Sequence, residues 1–292
     1  MHFKNRSYTI NHSFLLRILS ERIKDGRVIS LISRIMKSKI KDNDKYTKCE
    51  VGTPQGGGLS PILSNILLDK LDKELERRNL QFARYADDVI ILCSSQRSAE
   101  RILKSITDFI ENKMHLKVNR EKSGAHLISG RKVKFLGYGF TRTNIVEDKR
   151  TRKTTAKIKL KVHPRSSKKL KERAKKLLNK KAPKGILRTI KEYNQVMKGW
   201  FEYFKDGLTE SGINKMNEWL RHKIRALYWK QWKRPRGRYR NLISCGTTHE
   251  KAYMLANSSK GIWATSCMED LNYILTNKWV TAQGWYMMSL KN

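Results

Sequence analysis

Apolar positions along this 292-residue chain recur mostly at helical spacing, and elsewhere gather into short β-rich runs. Leu15, Leu16, Ile18, Leu19 and Ile23, then Val28, Leu31, Ile32 and Ile35, lie on either side of Gly26, which predicts two helices with a break between them. Leu59 to Leu75 predicts another helix, with Leu63, Ile66, Leu67, Leu71 and Leu75 on one face. QFARYADDVIILCSS then places two β-rich runs around a polar pair, the signature of a tight hairpin. Ala99 to Met114 reads as helix, with Ile102, Leu103, Ile106, Phe109 and Ile110 facing inward, and LKVN and VKFLGYGF read as strands.

Further on the pattern changes. TTAKIKLKV alternates as a strand with one basic face and leads through His163-Pro164 to a helix whose predicted N-cap is Ser166 or Ser167. Lys168–Leu178, Ile186–Phe204 and Ile213–Trp232 carry apolar stripes at three-to-four spacing and predict a three-helix bundle. Residues 233–292 begin with a basic run, KRPRGRYR, and continue as mixed sequence.

Charge narrows the function. Lys and Arg number 63 against 26 Asp and Glu, a net of +37, and residues 151–292 hold +24 of it (33 basic, 9 acidic). Such a field recruits polyanions, so nucleic acid is the natural partner and a membrane surface the second candidate. No apolar run approaches the roughly 20 residues of a membrane span, and the start lacks the apolar stretch of a signal peptide. Cys49, Cys93, Cys245 and Cys267 form no CxxC pair, which argues against a zinc knuckle or disulfide framework and fits a reducing, cytoplasmic setting.

Asp87-Asp88 is the chemical focus. Two adjacent carboxylates in a hairpin turn form a hard oxygen site suited to Mg²⁺, although an Asp-Asp pair is also an ordinary turn. Two-metal phosphoryl transfer needs at least one further carboxylate. Upstream, GTPQGGGLSPILSN interrupts the chain with Pro and Gly just before a helix, so that backbone can approach a ligand closely around Gln55.

TPQGGGLSPILSNILLDKLD, RYADDVIIL, LKVNREKS and KFLGYGF resemble, in that order, the later reverse transcriptase blocks of bacterial group II intron-encoded proteins. PKGILRTIKEYNQVMKGWFEYF through WLRHKIRALYWKQWKRP resembles their maturase thumb. The resemblance implies an α+β fold: an incomplete polymerase palm with a small antiparallel sheet bearing Asp87-Asp88 on its central hairpin over 1–150, and a basic linker or strand over 151–165. A helical thumb/maturase bundle over 166–232 and a basic DNA- or RNA-contacting region over 233–292, without an endonuclease domain, would follow. It implies metal-binding roles for Asp87 and Asp88, nucleotide and primer-template contacts by Tyr85, Ala86, Gln55 and Lys122, and a turn braced by Asn119. Two Mg²⁺ ions, group II intron RNA, a DNA target or primer, and dNTP are the cofactors and partners implied, in a bacterial cytoplasmic ribonucleoprotein. The activity implied is RNA-directed DNA polymerisation with help in splicing and target-primed mobility.

One block departs from the family. TINH matches the end of the first palm strand, with His12 as its His, but His2 stands where the family has a metal-binding Asp, and Ser7 and Tyr8 replace an aromatic and a second Asp. Fingers are absent upstream, so the chain is expected to be the 3′ portion of a longer gene. Little or no polymerase activity is expected of it alone, since imidazole is a poor Mg²⁺ ligand. RNA binding needs no such triad. Arg221, Lys223, Arg225, Lys230, Lys233, Arg234, Arg236, Arg238 and Arg240 are candidates for a backbone-tracking surface, with Trp229, Trp232 and Tyr239 placed to stack on bases. Trp200, Trp219 and Trp232 are the tryptophans expected in the bundle core. A non-catalytic RNA-binding splicing factor and an inactive fragment of a decayed mobile element are the alternatives. Exposed apolar surface is expected to give self-association, or pairing with a separate N-terminal fragment.

Overall fold

The computed structural model describes residues 11–42, 45–48, 58–128, 133–142, 146–147, 154–155, 158–178 and 185–290. The chain divides into two compact units, 1–136 and 137–292.

In the first unit, α1 (His12–Arg22) and α2 (Gly26–Met36) are separate helices, each entered through a side-chain cap. Asn11 Oδ1 accepts from the Phe14 N–H, and Asp25 Oδ1 from the Arg27 N–H, so each cap satisfies an otherwise orphaned donor. A hairpin of β1 (Lys39–Asp42) and β2 (Lys45–Lys48) follows. Next come α3 (Ser60–Arg77), β3 (Phe82–Tyr85), β4 (Asp88–Ile91), α4 (Gln96–Lys113) and the short β5 (Lys134–Phe135). Leu15 and Leu19, Leu67, Leu71 and Leu75, Val89, and Ile106 and Ile110 join in one buried core, so α1, α3, β4 and α4 pack together. LKVN forms no strand ladder beyond a single bridge at Val118, yet Leu116 and Val118 both turn into the core at strand alternation.

The second unit opens with β6 (Tyr138–Arg142), β7 (Val146–Glu147), β8 (Thr154–Thr155) and β9 (Ile158–Val162). β6 pairs antiparallel with β9, Tyr138 opposite Val162. The predicted basic strand therefore exists, but Ile158 through Lys161 are all exposed, so it has no buried apolar face. The helix after it, α5 (Pro164–Leu178), starts ahead of the predicted Ser166 or Ser167 cap. His163 Nδ1 accepts from the Arg165 N–H, while the Ser166 hydroxyl donates to the Gly137 carbonyl. Pro164 suits the first helical turn, where no N–H is needed.

α6 (Ile186–Phe204) and α7 (Glu210–Gln231, capped by Thr209) complete the three-helix bundle. Leu170, Ala174 and Leu178 meet Ile190, Tyr193, Met197 and Phe201, and Ile213, Leu220, Ile224 and Leu227. Each fully buried Leu, Ile, Met or Phe side chain contributes about 1.5–3 kcal/mol relative to exposure. Residues 233–290 differ from the expected tail. They fold as α8 (Pro235–Ser244), α9 (His249–Ala256), α10 (Ile262–Ser266), α11 (Glu269–Ile274) and α12 (Asn277–Ala282). Leu242, Ala252, Leu255, Leu271 and Leu275 close over Trp229 in a core of their own.

The end of the chain returns to the bundle. Asn194 donates to the Gly284 carbonyl (2.7 Å) and accepts from the Tyr286 N–H (2.8 Å). Buried Asn217 does the same with both backbone groups of Met288. Trp285 is buried, and its indole N–H donates to the Tyr228 hydroxyl at 3.2 Å.

Candidate acidic turn and cationic interface

β3 and β4 pair antiparallel with Phe82 opposite Ile91 and Tyr85 opposite Asp88, which leaves Ala86-Asp87 as a two-residue turn. Asp87 and Asp88 thus stand at the apex of a strand-turn-strand unit. Among the described residues this hairpin is a two-stranded sheet by itself, not the middle of a larger one. Ala86 adopts φ 54, a left-handed conformation that costs a non-glycine residue about 1–2 kcal/mol.

Arg84 explains how the turn is held. Its guanidinium grips Asp72 on α3 with two parallel hydrogen bonds, Nε to Oδ1 at 2.7 Å and Nη2 to Oδ2. Nη1 reaches Asn65 Oδ1 on the same helix and the Ala86 carbonyl, each at 3.2 Å. Planar, bidentate Arg–carboxylate pairing of this kind is geometrically strict, and both partners are largely buried. The backbone just before Asp87 is consequently tied to a helix whose other face lies in the core. Nothing in the hydrophobic pattern singles out Arg84, Asp72 or Asn65. The available signal is only that Asp72 and Asn65 lie seven apart, two helical turns along one face.

Asp87 and Asp88 are half-exposed, Ala86 is half-buried and Tyr85 is 65% exposed. Lys122 is exposed at a turn where its N–H meets both the carbonyl (3.2 Å) and Oδ1 (3.3 Å) of Asn119. Gln55 lies outside the described residues, as do His2, Ser7 and Tyr8. His12 is buried at the first position of α1. The two aspartates offer the oxygen donors Mg²⁺ prefers. Among the described residues, however, no group of three His, Cys, Asp or Glu side chains is placed to hold a metal. The described residues therefore do not complete a two-ion cage.

The basic residues of the second unit separate into two kinds. Lys233, Arg234, Arg236 and Arg240 are exposed around the start of α8, and none of the ion pairs among the described residues engages them. Lys230 is half-exposed on α7. Arg225 belongs to the interior. It is 4% exposed, with Nε donating to the Leu275 carbonyl (2.8 Å) and Nη2 to Asn277 Oδ1 (3.3 Å). Burial pulls its guanidinium down to about 10, still charged at neutral pH. Arg221 is half-buried and shifted the same way by burial. Arg238 lies over the Trp229 ring at 4.8 Å, against the core.

The expected stacking residues face inward as well. Trp229 is 1% exposed, and Trp232 packs against both cores of the unit. Tyr239 pairs its hydroxyl with His249 Nδ1 at 2.6 Å. Trp200, Trp219 and Trp232 pack on the bundle core, as the periodicity predicts. Aromatic surface instead occurs at Tyr203, Tyr253 and Tyr273, and at Trp263 on α10, 42% exposed, with the Lys223 ammonium 4.0 Å from its ring centre. Among the described residues no helix is long and apolar enough to cross a membrane.

Comparison with known proteins adds an independent line. Residues 4–140 match the family described as reverse transcriptase (RNA-dependent DNA polymerase). Residues 167–246 match the group II intron, maturase-specific domain. The putative COX1/OXI3 intron 2 protein of Saccharomyces cerevisiae is 30% identical over 189 residues, 44% of this chain and 22% of that protein. Protein YkfC of Escherichia coli is 26% identical over 149 residues, 39% of each. The group II intron-encoded protein LtrA of Lactococcus lactis is 38% identical over 81 residues, 28% of this chain and 14% of that one. The chain spans well under half the length of these relatives.

Proposed function

Because this chain belongs to the group II intron reverse transcriptase and maturase family, we propose that it binds structured intron RNA through its second unit and assists splicing. The observation that carries this reading is the exposed cluster Lys233, Arg234, Arg236 and Arg240, which forms no ion pair among the described residues and is joined to the maturase-matching helices. Free cations on a folded frame neutralise phosphates and release counterions, and the affinity so gained is steeply salt-dependent. The test is binding of a group II intron RNA between roughly 50 and 200 mM salt. Affinity should fall by orders of magnitude across that range. Replacing Arg234, Arg236 and Arg240 together with Ala should flatten the dependence by about one slope unit per lost phosphate contact. Absent or salt-insensitive binding overturns the reading.

The second reading is RNA-directed DNA synthesis with a DNA primer and dNTP, favoured by the acidic turn of Asp87 and Asp88 at a hairpin apex. Bound Mg²⁺ would supply charge neutralisation at the reacting phosphates. Asp87 and Asp88 would be its ligands from this chain, while Arg84 fixes the turn that carries them. Tyr85 is the exposed neighbour available to a primer. With His2 where the family carries an acidic ligand, the chain alone should give little or no primer extension with Mg²⁺ or Mn²⁺. Robust synthesis by the purified protein would refute that expectation.

A further inference from the structure

Within the second unit, three helices bring indoles and ammonium groups into alternation. Lys171 on α5 lies 5.3 Å from the ring centre of Trp219 on α7. Lys223, one turn along α7, lies 5.8 Å from the same ring and 4.0 Å from that of Trp263 on α10. Trp263 also makes a T-shaped contact with His222, ring centres 6.1 Å apart, and the His222 Nδ1 is tied to the Ser266 carbonyl at 2.8 Å. Neighbouring Ile262 is also exposed.

Two features separate this surface from an ordinary lysine lying over apolar carbon. Trp263 keeps 42% of its surface in solvent although a cation already sits over it, whereas Trp229 beneath Arg238 is 1% exposed. The cations are also uncompensated: none of the ion pairs among the described residues includes Lys171, Lys175 or Lys223. Burial, and then the like charge of Lys175, pull the Lys223 ammonium below the usual lysine range. An anion arriving there would relieve that repulsion. A partly exposed ring beside the Lys223 ammonium, with the like charge of Lys175 close enough to act on it, suits a ligand with an apolar face and an adjoining negative charge.

We propose that Trp263 stacks an unpaired base of the bound RNA while Lys223, supported by Lys171 and Lys175, holds the adjoining phosphate. This rests on the RNA-binding reading and adds a preference within it, for unpaired over duplex segments, since the base faces of a duplex are already stacked on one another.

The full chain should be titrated with a short uridine oligoribonucleotide, the same backbone lacking bases, and an RNA duplex. Wild type should bind the uridine oligomer more tightly than the abasic one. Trp263→Ala should weaken the uridine oligomer by about tenfold and leave the abasic oligomer and the duplex unchanged, so that the last two also report intact folding. Trp263→Phe should recover most of the loss. Equal losses for base-bearing and abasic ligands, no loss at all, or a wild type indifferent to bases would each overturn the stacking site while leaving RNA binding standing. Failure of the wild type to bind any of the three, or intron RNA, would remove the RNA-binding reading itself.

Discussion

Arg225 and Arg240 carry the same guanidinium on neighbouring helices, yet their surroundings assign them opposite work. Arg225 feeds its donors to the Leu275 carbonyl and to Asn277 in a buried setting. Arg225→Ala leaves those acceptors unpaired and opens a cavity, so it should cost about 3 kcal/mol in urea denaturation. Arg240→Ala should change stability by less than about 0.5 kcal/mol and instead weaken RNA binding at low salt. A stable Arg225→Ala protein would contradict this division. The sequence ranks the two alike because the carbonyl that claims Arg225 lies fifty positions downstream. Asp87-Asp88 was legible for the opposite reason: its flanking β-rich runs are local, and so is the turn they force.

At the scale of elements, Glu74 ties the end of α3 together. It accepts from Arg77 and Arg78, and Arg78 also donates to the Ser105 hydroxyl on α4 at 2.9 Å. The Arg77 hydrogen bond foremost, with that from Arg78, holds the Glu74 carboxyl at about 2 against the opposing effect of burial. Between that value and the unfolded carboxylate's, about 4.3, the unfolded chain binds the extra proton and stability rises with pH. The contribution is therefore complete above about pH 5 and is lost as pH falls toward 2. Glu74→Gln should lower the urea midpoint at pH 6 and flatten its decline between pH 5 and pH 2. An unchanged acid limb would assign the stabilisation elsewhere. Helices of this length announce themselves: the apolar stripe at 186–204 coincides with α6. Starts of helices moved outward to polar caps at Ser95 and Thr209, which no apolar stripe marks. The helices beyond 233 run from five to ten residues, too short for a period to show, and their core closes through distant contacts.

For the molecule as a whole, solubility is contested between charge and one uncovered helix face. The net +37 opposes self-association. On α2, Val28, Leu31 and Ile35 are 40%, 50% and 39% exposed along one side. Contiguous apolar surface of this kind favours association. Sedimentation should show concentration-dependent self-association at high salt, where the charge is screened. Leu31→Lys should reduce it. A monodisperse monomer under those conditions would mean the face is harmless. The path of the chain in its second unit bears on how that unit is used. After leaving α7 it makes the excursion from α8 to α12 and comes back along that helix, Trp285 meeting Tyr228 near its end and Met288 meeting Asn217 nearer its start. In mechanical terms the excursion is moored to one pier along its length, since His222 also holds Ser266 and Arg225 holds Leu275. A pull on a polyanion held by Arg236 and Arg240 would be shared among these moorings, instead of swinging these short helices about a single hinge.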